Sequence, residues 1–395
     1  MFKSPSPLSP PIKGGEIIWI TTESFVEPKI MDFFNTHISE KSIKLANDVL
    51  KSTLVSAGKI ADEFEKQLEK RLGIINPVTV NSGTSALYLA LAIADVKPGD
   101  EVIIPAQTFI ATGLVVLMHY AKPVFADIQY DTGNIDPDSV RQKITEKTKA
   151  IIPVHWGGYP CDMDKINDIA KEFNLVVIED AAHALGASYK GKPIGSISRF
   201  TAFSFQAIKH LTTGDGGALC CLNEDDYHQA KKRRWFDIDR DTAKPSILGE
   251  REYDATQVGY KLHLNDIAAA IGLGNLEDFP SNLERRREIA ARYRNKLTNV
   301  PGLQLLDYKE DRESAYWLFT VLVERREDFI RALKNHGIPA SVVHLRIDKN
   351  SIFGGITPNL VNQEKFNEHQ VSIPIHEALT DEDVNLILDT IKKGW

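Results

Sequence analysis

Cysteine is scarce in this chain, and the three that occur suit neither disulfides nor zinc. Cys161 stands alone, and Cys220 is followed directly by Cys221, in a sequence of 395 residues. Three cysteines cannot build a disulfide framework, and none of them forms the CxxC spacing of a zinc site. We therefore expect no metal site and a reducing, cytoplasmic environment.

The chain also lacks a long hydrophobic run and an excess of positive charge. No apolar stretch approaches the ~20 residues of a membrane span, and the N-terminal residues have no signal-peptide core. Residues 1–16 are rich in proline and serine, which predicts a disordered tail. The formal net charge of -7 argues against nucleic acid and anionic membranes as partners.

Several motifs that carry common chemistries are absent. No GxSxG or HExxH sequence occurs, so a serine hydrolase elbow and a zinc protease site have no support. The glycines at 214, 216 and 217 complete neither GxxxxGK[ST] nor GxGxxG, which excludes the usual nucleotide loops. These glycines instead favour a tight turn that lets backbone approach a ligand.

Short apolar stretches alternate with helical patterns along most of the chain. Stretches such as Glu101–Ile104, Ala150–Val154 and Thr201–Phe205 are nearly continuously apolar, which is typical of parallel strands buried on both faces. We predict an α/β fold whose mostly parallel central sheet gathers its ligands beyond the carboxyl ends of the strands.

This pattern divides the chain into two domains. Residues 17–262 are predicted to form a large α/β domain, with a short strand at Ile17–Ile20 and a helical segment near its start. Residues 263–395 are predicted to form a smaller α+β domain, in which Tyr316–Val323 and Ala340–His344 are strands.

The stretch from Leu175 to Gly217 carries the candidate chemistry. One apolar run ends in Asp180, with His183 three residues later, and a second ends in Ser204, followed by Lys209. Pyridoxal phosphate needs a lysine to bond its aldehyde and a carboxylate to keep its ring nitrogen protonated. Lys209 and Asp180 therefore indicate a pyridoxal phosphate site.

Each residue also has an ordinary interpretation. Lysine is usually exposed, so Lys209 alone fits a surface residue. Asp180 alone fits a helix N-cap. Asp180 and His183 at a spacing of three also fit a metal pair, although no third ligand is near in the sequence.

A helix start supplies a candidate seat for the cofactor phosphate. The segment Asn81–Ser85 is small and polar and precedes a helix that is apolar nearly all round. Free backbone N–H groups and the positive end of the helix dipole suit a phosphate there. An ordinary N-cap by Ser82 or Thr84 explains the same residues.

Four motifs in a fixed order resemble a known family. They are NSGTSAL, PAQTF, IEDAAHALGA and FSFQAIKHLTTGDGG, and they are similar to those of the DegT/DnrJ/EryC1/StrS sugar aminotransferases. The resemblance extends from about Ile60 to the C-terminus. It implies fold type I of the pyridoxal-phosphate enzymes, which is aspartate aminotransferase-like, and a homodimer. It further implies transfer of an amino group from glutamate to a nucleotide-linked keto sugar, for surface polysaccharide or natural-product glycans.

The resemblance also assigns roles to residues. Lys209 matches the lysine that bonds to the cofactor, and Asp180 matches the partner of the ring nitrogen. Phe109 is expected to stack on the ring, and His183 stands where the family often has glutamine. The phosphate seat is implied to include Gly83, Thr84 and Ser204.

One segment departs from the family pattern. Where the family commonly has Gly-x-Asn-x-Arg, this chain has Gly259, Tyr260, Lys261, Leu262 and His263. The family's asparagine reaches the cofactor phosphate of the neighbouring subunit, so Lys261 either replaces that contact with a charge or is a surface lysine.

Candidates for substrate contact are less specific. His155 follows a predicted strand, and the basic residues Arg234, Arg240 and Arg346 suit a diphosphate, although each also fits an ordinary surface charge. Trp235 and Trp317 either stack on a base or pack in the core.

Two other functions remain open from the sequence. A dehydratase of keto sugars uses the same cofactor, but its family members replace the lysine with histidine, whereas Lys209 is present here. A regulator that keeps the fold without catalysis is the alternative from a different class.

Overall fold

The computed structural model describes residues 31–240 and 242–395. The predicted tail over residues 1–16 and the predicted strand Ile17–Ile20 lie outside the described residues.

The helices alternate with strands through the first half of the chain, as the sequence pattern predicts. The helices are α1 (Glu40–Ser52), α2 (Lys59–Leu72), α3 (Gly83–Ile93), α4 (Ile110–Met118), α5 (Pro137–Lys143), α6 (Met163–Glu172), α7 (Glu224–Arg233), α8 (Asp266–Leu297), α9 (Arg326–Asn335), α10 (Val361–His369) and α11 (Asp381–Lys392).

The strands are short, and most of them are buried. They are β1 (Pro77–Val80), β2 (Glu101–Pro105), β3 (Lys122–Ala126), β4 (Thr148–Ile151), β5 (Val176–Asp180), β6 (Ser188–Tyr189), β7 (Lys192–Pro193), β8 (Phe200–Ser204), β9 (Gly217–Cys221), β10 (Lys244–Pro245), β11 (Arg251–Glu252), β12 (Leu303–Leu305), β13 (Arg312–Glu313), β14 (Phe319–Val323) and β15 (Gln370–Ile373).

Within the described residues, seven strands form the central sheet in the order β1-β9-β8-β5-β4-β2-β3. The pairs from β8 through β3 are parallel, and β9 runs antiparallel to both of its neighbours. The predicted mostly parallel α/β sheet is therefore confirmed. Because β9 is reversed, its first residue lies at the same edge as the carboxyl ends of β1 and β8.

Helix α3 crosses one face of this sheet, and its composition explains why. Apart from Tyr88, every residue from Ala86 to Ile93 is buried, so this helix has no polar face to turn toward water. The Ser82 hydroxyl caps its first turn by accepting from the Ser85 N–H at 3.0 Å. The helix start is therefore fixed beside the ends of β1 and β9.

The small lobe contains a three-stranded antiparallel sheet in the order β12-β14-β15. The strand predicted at Ala340–His344 is wrong, because only Ser341 bridges to Ser372 there. Val343 adopts a φ of 55°, which takes the chain out of extended geometry. The third strand is instead Gln370–Ile373.

Helix α8 joins the two halves of the molecule. Its first turns place Ala269, Leu276 and Phe279 in the core under the large sheet. Its last turns place Ile289 and Tyr293 in the core of the small lobe. The helix thus contributes to both cores, and the division of the chain after residue 262 stays a prediction.

None of the helices formed by residues 31–240 and 242–395 combines the length and the apolar character needed to cross a membrane.

Candidate active site

A cavity of about 430 Å³ lies where the strand ends meet. Asp180 ends β5, Ser204 ends β8, and Thr108 and Phe109 follow β2, so the parallel sheet delivers all of them to one edge. The cofactor residues predicted within one chain all line this cavity: Gly83, Thr84, Phe109, Asp180, His183, Ser204 and Lys209.

The Lys209 amine is buried against an aromatic ring. It lies on the loop between β8 and β9, with Nζ 3.5 Å from the centre of the Trp317 ring. The Trp317 indole N–H donates to the Ile208 carbonyl at 2.9 Å, which ties the ring to the same loop. Burial lowers the pKa of Lys209 to about 7, although the negative charge of Asp180 opposes this shift. The surface-lysine interpretation is therefore wrong, and a neutral amine is available near neutral pH.

Asp180 is held by two hydrogen bonds inside the cavity. Oδ2 accepts from the Thr112 hydroxyl at 2.7 Å, and Oδ1 accepts from the Ala182 N–H at 3.2 Å. Burial raises the pKa of Asp180, whereas both hydrogen bonds and the charge of Lys209 favour its ionised form. A cation placed beside Asp180 would stabilise the carboxylate further.

His183 lines the cavity, and one of its ring nitrogens has no hydrogen-bond partner in the described part of the chain. Its ring stacks on Trp317 with centroids 3.8 Å apart and an angle of 17°. Nδ1 is buried and has no hydrogen-bond partner among the described residues. Burial lowers the pKa of His183 well below its usual value, so the ring is neutral. Such a nitrogen fits a polar group of a bound molecule, because buried polar atoms are normally paired.

The helix start forms a close-packed cradle of backbone. A Cβ on Gly217 would lie 2.6 Å from the Gly83 nitrogen and from the Phe203 carbonyl, so only glycine fits there. A Cβ on Gly83 would contact the Ser204 Cβ at 3.0 Å. The backbone of three elements thus converges at the positive end of helix α3, which suits a phosphate.

Phe109 lies at the mouth of the cavity. It is 54% exposed, unusual for phenylalanine, and its ring is tilted against His344 with centroids 5.3 Å apart. An exposed aromatic face beside Asp180 and Lys209 fits a planar ring. The residues present therefore fit pyridoxal phosphate in its aldehyde, ring and phosphate contacts.

Comparison with known proteins identifies the family of this chain. Residues 36–392 match the model of the DegT/DnrJ/EryC1/StrS aminotransferase family. The chain belongs to this family. The match covers most of the chain, so the family resemblance of the sequence is confirmed.

Three named relatives align with most of this chain. The spore coat polysaccharide biosynthesis protein SpsC of Bacillus subtilis is 36% identical over 90% of this chain and 94% of its own length. The UDP-4-amino-4-deoxy-L-arabinose–oxoglutarate aminotransferase of Shewanella sediminis is 31% identical over 90% and 96%. The GDP-perosamine synthase of Caulobacter vibrioides is 34% identical over 84% and 89%.

Solved structures agree in fold. AtS13 from Actinomadura melliaura has a TM-score of 0.89 at 38% identity, covering 93% of this chain and 99% of its own. Spr1654 from Streptococcus pneumoniae has a TM-score of 0.84 at 33% identity in its PLP form, covering 92% and 98%. This chain therefore has the predicted type I fold and is a pyridoxal-phosphate-dependent aminotransferase.

Two residues predicted to contact substrate lie away from this aminotransferase cavity. His155 is fully buried, with Nε2 2.8 Å from Glu179 Oε2 and Nδ1 accepting from the Cys161 N–H at 3.0 Å. Arg346 is buried in a two-point ion pair with Asp348 at 2.7 and 2.6 Å. Neither lines the cavity, and each is held by a buried ionic partner within the chain.

The other basic candidates gather on a separate surface. Arg234 is bound to Glu65 and donates to the Thr79 carbonyl at 2.8 Å. Lys261 is exposed, with Nζ 4.0 Å from the centre of the Trp235 ring, and Arg240 lies over the same ring at 5.1 Å. These residues do not line the cavity of their own chain.

Sequence reasoning missed Thr112 and His344, and it left the role of Trp317 open. Thr112 binds Asp180, Trp317 contacts Lys209, and His344 closes one side of the cavity. Thr108 follows strand β2, which is the sequence signal that links it to the site, whereas Thr112 lies inside helix α4. Trp317 and His344 come from the small lobe, and no local pattern relates them to Lys209.

Proposed function

We propose that this enzyme moves an amino group from glutamate to the carbonyl carbon of a nucleotide-linked keto sugar. The products are 2-oxoglutarate and an amino sugar for surface polysaccharide or natural-product glycans. The observation that carries the proposal is the buried Lys209 amine, with its lowered pKa, in one cavity with Asp180. The relatives from Shewanella and Caulobacter, which are named for acting on UDP- and GDP-linked sugars, support a sugar nucleotide as the acceptor.

Lys209 supplies both the covalent anchor and the base. Pyridoxal phosphate, when bound, provides an aldehyde that carries the amino group and a ring that accepts the electron pair of a broken C–H bond. A pKa of about 7 lets Nζ take up and return a proton in the working pH range. Asp180 would hold a proton at the ring nitrogen, and Thr112 and Ala182 keep the carboxylate in place.

The remaining predicted residues would hold the cofactor. Gly83, Thr84 and Ser204 would receive the phosphate at the start of helix α3. Phe109 would stack on the ring, and the free Nδ1 of His183 would bind a polar substituent of the ring. None of these contacts requires a side chain to leave an existing hydrogen bond.

We further propose a homodimer in which Lys261 reaches the phosphate of the partner's cofactor. Lys261 is exposed and lies outside the cavity of its own chain, as a residue that acts across an interface must. Three free cysteines, all buried, support a reducing cytoplasmic location.

Incubation of the purified enzyme with glutamate and a panel of UDP-, TDP- and GDP-linked keto sugars tests the function. Mass spectrometry should detect an amino sugar nucleotide together with 2-oxoglutarate in equal amounts. The Lys209→Ala variant is the matched control and should form neither product. A product that has lost water without gaining nitrogen would instead favour a dehydratase.

A further inference from the structure

A strained loop of the small lobe, around Val343 and His344, reaches the cavity. Val343 has a φ of 55°, in the left-handed region that β-branched residues rarely adopt. Its neighbours close a tight turn, since the His344 N–H donates to the Val342 carbonyl at 2.6 Å. Backbone strain of this kind costs ~1–3 kcal/mol and persists only where the surrounding structure holds it.

The surrounding structure does hold this loop, from two directions. From the β2 exit, Gln107 Nε2 donates to the His344 carbonyl at 3.1 Å, and the Ala106 carbonyl accepts from the Ile347 N–H at 2.9 Å. From β15, Gln370 Nε2 donates to the Val342 and His344 carbonyls at 3.1 and 3.0 Å. Both glutamines are fully buried, so these contacts are shielded from water.

These contacts hold the backbone of His344, and its imidazole is restrained by a hydrogen bond to the Val343 backbone. The imidazole lines the cavity between Phe109 and His183, nearly parallel to the His183 ring at 14° with centroids 6.0 Å apart. Burial and the positive charge of Lys209 together lower the pKa of His344 to about 4, although a hydrogen bond to the Val343 backbone opposes this shift. At neutral pH the ring is uncharged, and because one nitrogen bonds to the Val343 backbone, the other nitrogen can accept from a hydroxyl.

The two substrates of a sugar aminotransferase differ in the hydrogen bonds that they could form with a neutral imidazole. Glutamate carries two carboxylates, which bind best to cations with paired donors. A sugar ring carries hydroxyls, which both donate and accept and therefore suit a neutral imidazole. Among the described residues that line the cavity, Lys209 is the single Lys or Arg, whereas Ser, Thr, Gln and aromatic side chains make up much of the wall.

We propose that His344 determines acceptor specificity by hydrogen bonding a hydroxyl of the sugar ring, and that it has no part in binding the amino donor. This inference rests on the function proposed above. The strained turn at Val343 and the glutamine contacts pre-position the imidazole, so the contact forms without ordering a mobile side chain.

The two half-reactions separate these roles. The holoenzyme is first reacted with glutamate alone, and the conversion of its absorbance to that of the amine form gives kcat/KM for the donor. The amine form is then reacted with the UDP-, TDP- or GDP-linked keto sugar accepted in the panel above. We expect His344→Leu to lower kcat/KM for the sugar about tenfold or more and to change that for glutamate less than about threefold.

Three measurements complete the design. His344→Asn, which keeps one donor and one acceptor, should recover part of the sugar half-reaction. The Kd of the corresponding nucleoside diphosphate without sugar, measured by calorimetry, should match that of the wild-type protein. His336→Ala, a histidine at the exposed end of helix α9, should leave both half-reactions unchanged.

Equal losses in both half-reactions, or a loss confined to glutamate, would overturn this role for His344. An unchanged sugar half-reaction in His344→Leu would overturn it as well. Failure of the wild-type enzyme to accept any keto sugar would count against the proposed function itself. The two failures are therefore distinguishable.

Discussion

The Thr112 hydroxyl donates to Asp180 Oδ2 across 2.7 Å, and the two side chains are almost completely buried. Thr112 Oγ1 also lies 2.7 Å from Thr108 Oγ1. Since Thr112 gives its own proton to Asp180, Thr108 must donate to Thr112. Two hydroxyls, one from helix α4 and one from the loop after β2, therefore orient the carboxylate that we propose as the partner of the ring nitrogen.

Replacing Thr112 by valine should weaken cofactor binding. Valine keeps the shape but removes a hydrogen bond to a charged group, worth ~2 kcal/mol, so Kd for pyridoxal phosphate should rise roughly 30-fold. Fluorescence titration of the cofactor-free protein measures this change. Thr112→Ser keeps the hydroxyl and should bind within about threefold of the wild-type protein. Equal Kd values for the valine and serine variants would contradict the orienting role.

The reactivity of Lys209 should depend on pH with a midpoint near its lowered pKa of about 7. Below this pH the amine is protonated and unreactive, and above it the free amine attacks. In cofactor-free protein, an amine-specific reagent should therefore modify Lys209 half-maximally near pH 7, as peptide mass spectrometry reports. An ordinary lysine, with a pKa of ~10.4, reacts slowly at that pH. A midpoint above about pH 9 would show that burial does not control this amine.

Gly217→Ala should disrupt both the cradle and the fold. The added Cβ would lie 2.6 Å from the Gly83 nitrogen and the Phe203 carbonyl, and backbone atoms cannot move aside as a side chain can. We expect a loss of ~2 kcal/mol in the free energy of unfolding and a larger Kd for the cofactor. Gly83→Ala, whose Cβ meets the Ser204 Cβ at 3.0 Å, should cost less. Urea unfolding of the two variants, compared side by side, tests this order.

His155→Ala should destabilise the protein without changing specificity. His155 and Glu179 are completely buried partners, so the variant leaves a buried carboxylate with fewer hydrogen bonds. The expected loss is ~3 kcal/mol in the free energy of unfolding, measured by urea titration. KM for the sugar nucleotide should stay within about twofold in the fraction that folds. A large rise in KM with normal stability would restore His155 as a substrate contact.

Lys261 should act in trans if the homodimer forms as proposed. Lys209→Ala and Lys261→Ala homodimers are each expected to be impaired, because every site carries one defect. In a mixed dimer, one site carries both defects and the other carries neither, so activity should return toward half of the wild-type value. Differently tagged chains allow this mixed dimer to be purified. No recovery in the mixed dimer would place Lys261 in the site of its own chain, whereas an unimpaired Lys261→Ala homodimer would place it outside any site.

Much of the fold could be predicted because its signals are local. Continuously apolar strands, turn glycines and the all-apolar helix α3 determine a buried parallel sheet whatever lies beside them. The small lobe was harder, since Ala340–His344 has the composition of a strand. Only the left-handed Val343, which is imposed by contacts from Gln107 and Gln370, excludes that structure.

In the candidate site, too, the features that follow from local sequence could be predicted, and those that depend on tertiary contacts could not. The sequence could predict that Lys209, Asp180 and the start of helix α3 line one cavity, because strand ends in a parallel sheet meet at one edge. The sequence could not show that His155 and Glu179 form a buried pair, because polar residues at the end of a strand have the same sequence pattern whether they are buried or exposed.

The sequence by itself determined the cofactor chemistry, the family and the sheet, since each depends on residue types at fixed spacing. The tertiary structure alone decided the lowered pKa of the Lys209 amine, because burial depends on what the rest of the chain packs around it. It also decided that Trp317, Thr112 and His344 complete the cavity. Packing brings these three residues to Lys209 and Asp180 from distant parts of the chain, and no pattern in the sequence predicts their contacts.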